Sequence, residues 1–401
     1  MHSETSILGV KAIILAAGKG SRLAPLTDTT PKPMISIAWK PILEHTLESI
    51  YTQVDEIIIV VKYLSEIISN YFWNNFLGTK ITYHIQNDEK WTGAAIRWIK
   101  FEDDFILINW DSIFEKKDLD NLINSQNYWA LVLETETPEK YWIFEQNSNK
   151  FATKIVEKPK GYIWNLANQG VYKFSSEIFN LVEKIELSER WEYEITDAIN
   201  LFIKNNKFQL INLEWKILDI SYAWNILEAN KYFLEKFVKS EINWEVEERV
   251  SIKWNIILWK WSILKSGTYI EWNVIFWENC VIWPNCYIRW NSVFWDNCHI
   301  WNAVEIKNSS IWNNTKIGHL SYIWDSVIWN DCNFWAGFKV ANLRHDWKNM
   351  RAMIKWELVE TWLKKLWIIL WDNSKLWINT LCYPARVFSS NTTSLPWEII
   401  K

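Results

Sequence analysis

The chain contains 401 residues, with 43 basic residues against 47 acidic ones and a formal net charge of −4. This length suffices for two or three domains, and a nearly balanced charge without long runs of one sign excludes the basic surface of a protein that binds nucleic acid or anionic membranes. No apolar stretch is long enough to span a bilayer, the first residues lack a signal-peptide pattern, and the five cysteines form no CxxC pair. We therefore expect a cytoplasmic protein that binds neither a membrane nor nucleic acid.

Tryptophan and glycine occur in unusual numbers, because the chain has 32 Trp and only 10 Gly, whereas glycine averages about 7% of residues. Many Trp precede Asn or Asp, as at Trp272-Asn273 and Trp295-Asp296, where a turn favours glycine. Our interpretation is that most of these Trp stand for glycine, which happens when UGA codons that some bacteria read as glycine are translated with the standard table. The alternative is a genuinely Trp-rich protein.

Apolar segments typical of strands alternate with helix-like segments through the first part of the chain. The predicted strands are Lys11–Ala17, Glu56–Val61, Lys80–Ile85, Phe105–Asn109, Ala130–Thr135 and Gln209–Leu213. The predicted helices are Pro41–Tyr51, Tyr63–Phe72 and Asn225–Ser240. This alternation indicates an α/β domain with a mostly parallel sheet, which we place at residues 1–240.

A six-residue repeat runs through the second predicted domain, residues 241–401. Large apolar residues recur every six positions from Ile270 to Ile306 and, after a step of five, from Ile311 to Ile323. This pattern is typical of a parallel β-helix, in which each hexapeptide forms one side of a triangular coil. The small residues two positions earlier are then core residues, among them Cys280, Cys286 and Cys298. The position after the large apolar residue holds Trp in most repeats but Gly318 in one, so we expect glycine-like corners with positive φ there.

The most specific motif follows the first strand, where Leu15 to Met34 reads LAAGKGSRLAPLTDTTPKPM. Backbone amides of a glycine loop after a strand can bind nucleotide phosphates, and arginine and lysine add positive charge. The segment resembles the signature of sugar-1-phosphate nucleotidyltransferases, LxxGxGxRLxPLTxxxPKPM. The resemblance implies catalytic roles for Arg22 and Lys32, and nucleotide contacts from Leu15, Ala16, Ala17, Gly18 and Gly20.

Shorter elements of the same family follow in the family's order. Gln86, Thr92 and Gly93 resemble the Q…GTG element that contacts the nucleobase and ribose. Three further elements resemble the YG, EKP and NxG motifs around the sugar, and they are Tyr141-Trp142, Glu157-Lys158-Pro159 and Asn168-Gln169-Gly170. By this resemblance the sugar-phosphate ligands are Trp142, Glu157, Lys158 and Asn168.

Two aspartates resemble the family's metal ligands. Asp111 ends Asn109-Trp110-Asp111, which is similar to NGD, and Asp219 follows an apolar segment. Both substrates are strongly anionic, so a Mg²⁺ held by two carboxylates can bridge their phosphoryl groups and orient an in-line attack. The resemblance thus implies Mg²⁺ as cofactor, with the two carboxylates on the order of 5 Å apart.

The repeat region carries a second resemblance. With Trp read as Gly, Val304–Asp346 contains HLSYIGDSVIG and NFGAG, and it is similar to the acetyltransferase half of bifunctional N-acetylglucosamine-1-phosphate uridylyltransferase/glucosamine-1-phosphate acetyltransferases of the archaeal type. This implies a left-handed β-helix, acetyl-CoA as co-substrate, a homotrimer with sites between subunits, and His319 as general base. It also implies sugar-phosphate binding by Arg289, Lys307, Tyr322, Asn333 and Asn342, with the two cations stacked three repeats apart.

We therefore predict an α/β Rossmann-like nucleotidyltransferase domain followed by a left-handed parallel β-helix, in an enzyme that makes UDP-N-acetylglucosamine from glucosamine 1-phosphate, acetyl-CoA and UTP. The identity of the nucleobase stays open, because Asp219 stands where bacterial uridylyltransferases have Asn and thymidylyltransferases have Asp. One alternative is a monofunctional nucleotidyltransferase, of thymidylyl or guanylyl type, with a structural β-helix. Another is a non-catalytic sugar-nucleotide sensor, favoured if Trp91, Trp110 and Trp142 are true tryptophans that obstruct the site.

Overall fold

The computed structural model describes residues 10–86, 94–114, 116–120, 122–123, 125–161, 163–188, 193–213, 220–341 and 343–401. The chain forms two compact units. The first comprises Met1–Lys19, Thr30–Ser36 and Lys40–Asp219, and the second comprises Gly20–Thr29, Ile37–Trp39 and Ile220–Lys401. Within the described ranges, no helix has the length and apolar character needed to cross a membrane.

The elements up to residue 212 are mostly strands of five to nine residues with helices between them. The strands are β1 (Lys11–Leu15), β2 (Ser36–Ile37), β3 (Lys40–Pro41), β4 (Glu56–Val61), β5 (Asn75–Phe76), β6 (Thr79–Ile85), β7 (Phe105–Asn109), β8 (Tyr128–Glu134), β9 (Trp142–Gln146), β10 (Ala152–Glu157), β11 (Leu166–Phe174) and β12 (Phe208–Asn212). The helices are α1 (Ile42–Ile50), α2 (Ser65–Phe72), α3 (Lys116–Asp120), α4 (Glu177–Val182) and α5 (Ile195–Asn205). Short 3-10 turns lie at Ser21–Leu23, Leu26–Asp28, Lys32–Met34, Tyr51–Gln53, Ala94–Ile96 and Pro138–Lys140.

One mixed sheet organises the first unit, in the order β10-β9-β11-β7-β1-β4-β6-β5, with β8 pairing β11 and β12. The strands β7, β1, β4 and β6 are parallel, while β11 joins this group antiparallel to β7. The predicted strands and helices are confirmed within a few residues. The hairpin β9–β10 and strand β11 were not predicted, because segments such as Ala152–Glu157 and Leu166–Phe174 contain no uninterrupted apolar run.

Within the second unit, the segment Ile220–Lys401 contains helix α6 (Asn225–Phe237) and then short strands, nearly all of them parallel. They are β13 (Glu241–Ile242), β14 (Glu245–Val246), β15 (Ser251–Ile252), β16 (Ile256–Leu258), β17 (Ile263–Leu264), β18 (Tyr269–Glu271), β19 (Val274–Phe276), β20 (Val281–Ile282), β21 (Tyr287–Arg289), β22 (Ser292–Phe294), β23 (His299–Ile300), β24 (Glu305–Lys307), β25 (Ser310–Ile311), β26 (Lys316–Ile317), β27 (Tyr322–Trp324), β28 (Val327–Ile328), β29 (Asn333–Phe334), β30 (Lys339–Val340), β31 (Arg351–Ile354), β32 (Glu357–Glu360), β33 (Ile368–Leu370), β34 (Lys375–Leu376), β35 (Leu381–Cys382), β36 (Arg386–Phe388) and β37 (Ile399–Ile400).

These strands form three sheets, which are the three sides of the predicted β-helix, and an inserted antiparallel hairpin β31–β32. Sheet one contains β13, β16, β19, β22, β25, β28, β33 and β36; sheet two contains β14, β17, β20, β23, β26, β29 and β34; sheet three contains β15, β18, β21, β24, β27, β30, β35 and β37. The predicted fold class, a Rossmann-like α/β domain followed by a left-handed parallel β-helix, is confirmed.

The hexapeptide register sets the pairing from coil to coil. Ile270 lies opposite Ile288, and Ile288 opposite Ile306, so one coil equals three hexapeptides. The five-residue step shortens the next coil, which pairs Ile306 with Ile323. These side chains are completely buried, as is Cys280 beside them. The core placement of the cysteines is thus confirmed, and burial raises the pKa of the Cys286 thiol to about 12.

Tryptophan occupies left-handed backbone positions at several turns of the described chain. Such conformations are uncommon for any residue but glycine and strained for a bulky one. The Trp residues with positive φ are Trp73, Trp261, Trp272, Trp290, Trp347, Trp356, Trp362 and Trp397. These positions are the ones where the structure favours glycine most directly.

The positions after the large apolar residues behave differently, and our expectation of positive φ there is wrong. Trp277 and its equivalents have ordinary φ values, and their indoles stack on one another along successive coils, as Trp277 does on Trp295. Gly318 shares this position in the repeat, but a Cβ on it would lie 2.8 Å from the carbonyl oxygen of Phe334. Close approach of the next coil, rather than φ, therefore requires glycine at residue 318.

Candidate functional site

The carboxyl ends of four parallel strands meet at one edge of the sheet in the first unit. Leu15 at the end of β1 lies opposite Asn109 at the end of β7, and Gln86 follows the end of β6. Gln86 is buried, and its backbone N–H donates to the carbonyl of Val61 at the end of β4. Ligands of open α/β sheets bind at this edge, so the predicted nucleotide contacts Leu15 and Gln86 belong to one region.

Asp111 and Lys32 form a charged pair at this edge. The Lys32 ammonium nitrogen lies 3.7 Å from Oδ2 of Asp111, and their side chains are 14% and 25% exposed. The backbone N–H of Trp110 donates to the Leu15 carbonyl, which ties the segment after β7 to β1. The Trp110 ring also lies against the Lys32 ammonium, 4.5 Å from ring centroid to nitrogen. A lysine and a carboxylate are thus brought together at the edge where ligands of open α/β sheets bind.

Gly170 brings the Asn168 motif against β7. Its φ is +70°, and a Cβ would lie 2.7 Å from Cγ of Asn109, so only glycine fits. The Asn168 side chain accepts a hydrogen bond from the Gly170 N–H and donates to the Tyr172 hydroxyl, at 3.1 and 2.6 Å. Burial raises the pKa of Tyr172 to about 12. This hydroxyl therefore stays neutral and holds the Asn168 amide in place.

The predicted sugar contacts meet at the open end of the hairpin β9–β10. Trp142, the first residue of β9, pairs with Glu157, the last residue of β10. The Lys158 N–H donates to the Tyr141 carbonyl at 3.0 Å, and Lys158 has a positive φ of 37°. The structure thus brings the Tyr141-Trp142 and Glu157-Lys158 motifs together at the open end of one hairpin.

Helix α5 supplies residues that the sequence motifs did not include. The Asn200 side-chain amide accepts from the N–H of Ile155 and donates to its carbonyl, at 2.9 and 3.0 Å, which fixes α5 on β10. From the same helix, Asp197 lies close enough to Glu157 for their charges to interact. Burial first, and the Glu157 charge second, raise the pKa of Asp197. The sequence motifs could not predict that Asp197 places a second carboxyl group near Glu157, because this proximity arises only from the fold.

The glycine loop after β1 has an accessible backbone. Gly20 has φ 65°, and a Cβ on Gly18 would meet no atom within 4 Å, which leaves that backbone accessible. Arg22 lies in the 3-10 turn Ser21–Leu23, 5.9 Å from the Tyr222 ring.

Four predicted site residues lie outside the described residues, and they are Thr92, Gly93, Asp219 and Asn342. Within the described ranges, no group of three or more His, Cys, Asp or Glu side chains could hold a metal.

A cluster of charged residues lies on sheet three of the β-helix. Arg289 and Lys307 end adjacent strands and are register partners, as the repeat predicted. The Arg289 guanidinium bonds to Oε1 of Glu305 at 2.7 Å, and the Lys307 ammonium lies 3.3 Å from Oδ2 of Asp325. Burial lowers the pKa of Lys307, and the Asp325 charge opposes this shift. Two stacked cations of this kind can bind a phosphate group.

The remaining acetyl-transfer candidates lie around one corner of the β-helix. Tyr322 begins β27 on sheet three, and burial raises its pKa to about 12. His319 lies in the turn between sheets two and three, exposed, with its ring 5.3 Å from that of Trp301. Asn333 begins β29 on sheet two and lines a cavity of about 550 Å³ together with Lys316. Within one chain, Asn333 therefore lies on a different side of the coil from Arg289, Lys307 and Tyr322.

Comparison with known proteins connects these two sites. Residues 11–236 match the nucleotidyl transferase family. A protein from Methanocaldococcus jannaschii, described as bifunctional protein GlmU, is 41% identical over 382 residues, or 95% of this chain and 92% of that one. A bifunctional sugar-1-phosphate nucleotidylyltransferase/acetyltransferase from Sulfurisphaera tokodaii is 36% identical over 392 residues, or 98% and 97% of the two chains.

Solved structures resemble the first part of the chain. A UDP-glucose pyrophosphorylase complexed with UDP-glucose superposes with a TM-score of 0.52 at 22% identity, covering 56% of this chain and 99% of that chain. At this level of identity the likeness establishes the fold alone.

Proposed function

The chain belongs to the nucleotidyl transferase family, within the group of bifunctional sugar-1-phosphate nucleotidylyltransferase/acetyltransferases, and from this premise we propose that it makes UDP-N-acetylglucosamine. One reaction acetylates glucosamine 1-phosphate with acetyl-CoA. The other joins N-acetylglucosamine 1-phosphate to the uridylyl group of UTP and releases pyrophosphate. The observation that carries the proposal is that both candidate sites occur in a chain whose bifunctional relatives match it over nearly its whole length.

Nucleotidyl transfer is assigned to the carboxyl edge of the first sheet. A phosphate oxygen of the sugar phosphate attacks the α-phosphorus of UTP, and the bond to pyrophosphate breaks without a covalent enzyme intermediate. Lys32, 3.7 Å from Asp111, is placed to neutralise the triphosphate, with Arg22 acting on the departing phosphates. Glu157, Lys158 and Asn168 orient the sugar phosphate. The rate then depends on positioning and electrostatic stabilisation.

The residues of this edge fit a magnesium ion. Asp111 offers carboxylate oxygens, the ligands that Mg²⁺ prefers, from the end of a buried strand with its side chain partly exposed. Asp111 would hold the ion together with Asp219. When bound, the ion supplies positive charge shared by the phosphates of both substrates.

Acetyl transfer is assigned to the β-helix. The amine nitrogen of glucosamine 1-phosphate attacks the thioester carbonyl of acetyl-CoA, and an N–C bond forms as the C–S bond breaks. His319 accepts the proton of the amine and passes it to the departing CoA thiolate. Arg289 and Lys307 bind the sugar phosphate, and Tyr322, a neutral hydroxyl at this corner, orients the sugar with Asn342.

The active assembly in this proposal is a homotrimer formed through the β-helix. Asn333 lies on sheet two, whereas Arg289, Lys307 and Tyr322 lie on sheet three. Closed cyclic assemblies are the common outcome for identical chains, and three copies can place sheet two of one chain opposite sheet three of the next. Sedimentation as a monomer at micromolar concentration would remove this assignment.

Separate loss of the two activities tests the proposed function. His319→Ala is expected to reduce acetyl transfer by roughly 10²–10⁴-fold, the usual contribution of a general base, and to leave nucleotidyl transfer unchanged. Both rates are measured on one preparation, as CoA release from acetyl-CoA and pyrophosphate release from UTP. Nucleotidyl transfer without acetyl transfer in the unmodified protein would instead support the monofunctional alternative, and absence of both would support the sensor.

A further inference from the structure

Asp325 is the first residue of the two-residue turn between β27 and β28 on the β-helix. Its φ is 43°, a left-handed conformation, and its backbone N–H donates to the Lys307 carbonyl. Asn308 occupies the equivalent turn one coil earlier, with φ 45°. Because Asn and Asp tolerate this conformation about equally, the turn itself does not require a carboxylate at residue 325.

The carboxylate of Asp325 is held on two sides. Its Oδ2 lies 3.3 Å from the Lys307 ammonium nitrogen, and its Oδ1 accepts a hydrogen bond of 2.7 Å from the Asn308 side-chain amide. The Asp325 and Lys307 side chains are 8% and 3% exposed. Removing one member of a buried ion pair leaves the other without compensation, which costs more than the pair itself contributes.

The other charged groups around Lys307 are arranged around this pair. Arg289 and Lys365 both act on Lys307 as like charges. Glu305 is bonded to Arg289 at 2.7 Å. Asp325 therefore supplies the counter-charge that contacts the Lys307 ammonium directly.

We propose that Asp325 is a positioning residue of the acetyl-transfer site, which holds the Lys307 ammonium where the sugar phosphate binds without contacting the substrate itself. This rests on the proposed function, in which Lys307 binds that phosphate. The Trp290 and Trp324 rings lie 4.1 and 4.7 Å from the ammonium. We interpret both positions as glycine. Without the two rings, Lys307 and Asp325 keep their backbone and carboxylate contacts, and the Lys307 ammonium becomes accessible to a phosphate.

The test is Asp325→Asn, which keeps the size of the side chain and places in the turn the residue that Asn308 already provides. We expect the KM for glucosamine 1-phosphate in acetyl transfer to rise roughly tenfold or more, with little change in kcat and none in nucleotidyl transfer. The matched control is Asp372→Asn, because Asp372 also accepts hydrogen bonds from an asparagine, Asn330, in a β-helix turn. Asn308→Ala should raise the same KM by a smaller factor.

A double-mutant cycle separates positioning from a general structural role. If Asp325 acts through Lys307, then Asp325→Asn does not raise KM further in a Lys307→Met background. An equal rise in both backgrounds, or an unchanged KM in an otherwise active protein, overturns the proposal while leaving the proposed function intact. Absence of acetyl transfer in the unmodified protein overturns both.

Discussion

A Cβ atom on Gly170 would lie 2.7 Å from Cγ of Asn109, so the Asn168-Gln169-Gly170 motif on β11 contacts the Asn109-Trp110-Asp111 motif, which starts at the end of β7, through a residue that has to be glycine. The contact is reinforced by Ser112, whose hydroxyl donates to the Gln169 carbonyl at 2.8 Å. Two motifs that are separated by some sixty residues are therefore held in contact at the edge of the sheet where we propose nucleotidyl transfer.

Gly170→Ala should destabilise the first unit and reduce nucleotidyl transfer. A side chain at φ +70° costs about 1–3 kcal/mol, and the clash with Asn109 adds to this cost. Thermal unfolding checks the effect, with Gly161→Ala as control, because a Cβ on Gly161 meets no atom within 4 Å. Equal midpoints for the two variants would contradict the assigned contact.

Asp111→Asn should lower nucleotidyl transfer by roughly 10²-fold or more, since it removes a charge placed for catalytic electrostatics, and should weaken the dependence of the rate on Mg²⁺. Acetyl transfer should remain. The control is Asp103→Asn, because Asp103 is an exposed aspartate that precedes β7, the strand that leads to Asp111. A variant that keeps the wild-type rate and the wild-type Mg²⁺ dependence would rule out Asp111 as a metal ligand.

Sugar-phosphate binding at the β-helix should weaken at alkaline pH. Burial lowers the pKa of Lys307 from its ordinary value of 10.5, although Asp325 opposes the shift. The protonated form binds phosphate, so affinity is retained below the lowered pKa and lost as pH rises through it. The check is the KM for glucosamine 1-phosphate from about pH 7 to 10 in the unmodified protein and in Lys307→Arg, whose guanidinium stays charged. The same alkaline rise in both proteins would assign it to another group.

The repeat and the signature motif determined most of what could be predicted. The register of Ile270, Ile288 and Ile306 follows directly from hexapeptide spacing, and so does the stacking of Arg289 on Lys307. Side-chain pairings that depend on tertiary contacts could not be predicted from the sequence. Asn200 binds Ile155 across 45 residues, and Asp325 reaches Lys307 from a turn one coil away, across 18 residues.

The tryptophans in turn positions divide into two groups that the sequence did not separate. At Trp272, Trp290 and six other turns the backbone is left-handed, which favours glycine through φ. At Trp277 and its equivalents the backbone is ordinary and the indoles stack. The frequency of Trp in turn positions predicted glycine in both groups, but the structural reason applies to the first.

Mass spectrometry of peptides from the native protein should show glycine at Trp272, Trp290, Trp356 and Trp397, which all have positive φ. Trp224 should remain tryptophan, because it is buried and stacks on Tyr222 with ring centroids 4.5 Å apart. Indole masses at the positive-φ positions would refute the interpretation of recoded glycine codons. Glycine at residue 224 would refute the distinction between turn and core tryptophans.

The most direct test of a two-site enzyme is a single reaction with protein purified from its own cells, glucosamine 1-phosphate labelled with ¹⁵N on the amine, acetyl-CoA, UTP and Mg²⁺. Our account predicts labelled UDP-N-acetylglucosamine, with CoA and pyrophosphate released in equal amounts. Omitting acetyl-CoA should prevent formation of that product, and supplying N-acetylglucosamine 1-phosphate that carries the same ¹⁵N label should restore it. If no labelled UDP-sugar forms although the substrates of both reactions are supplied, the account is contradicted.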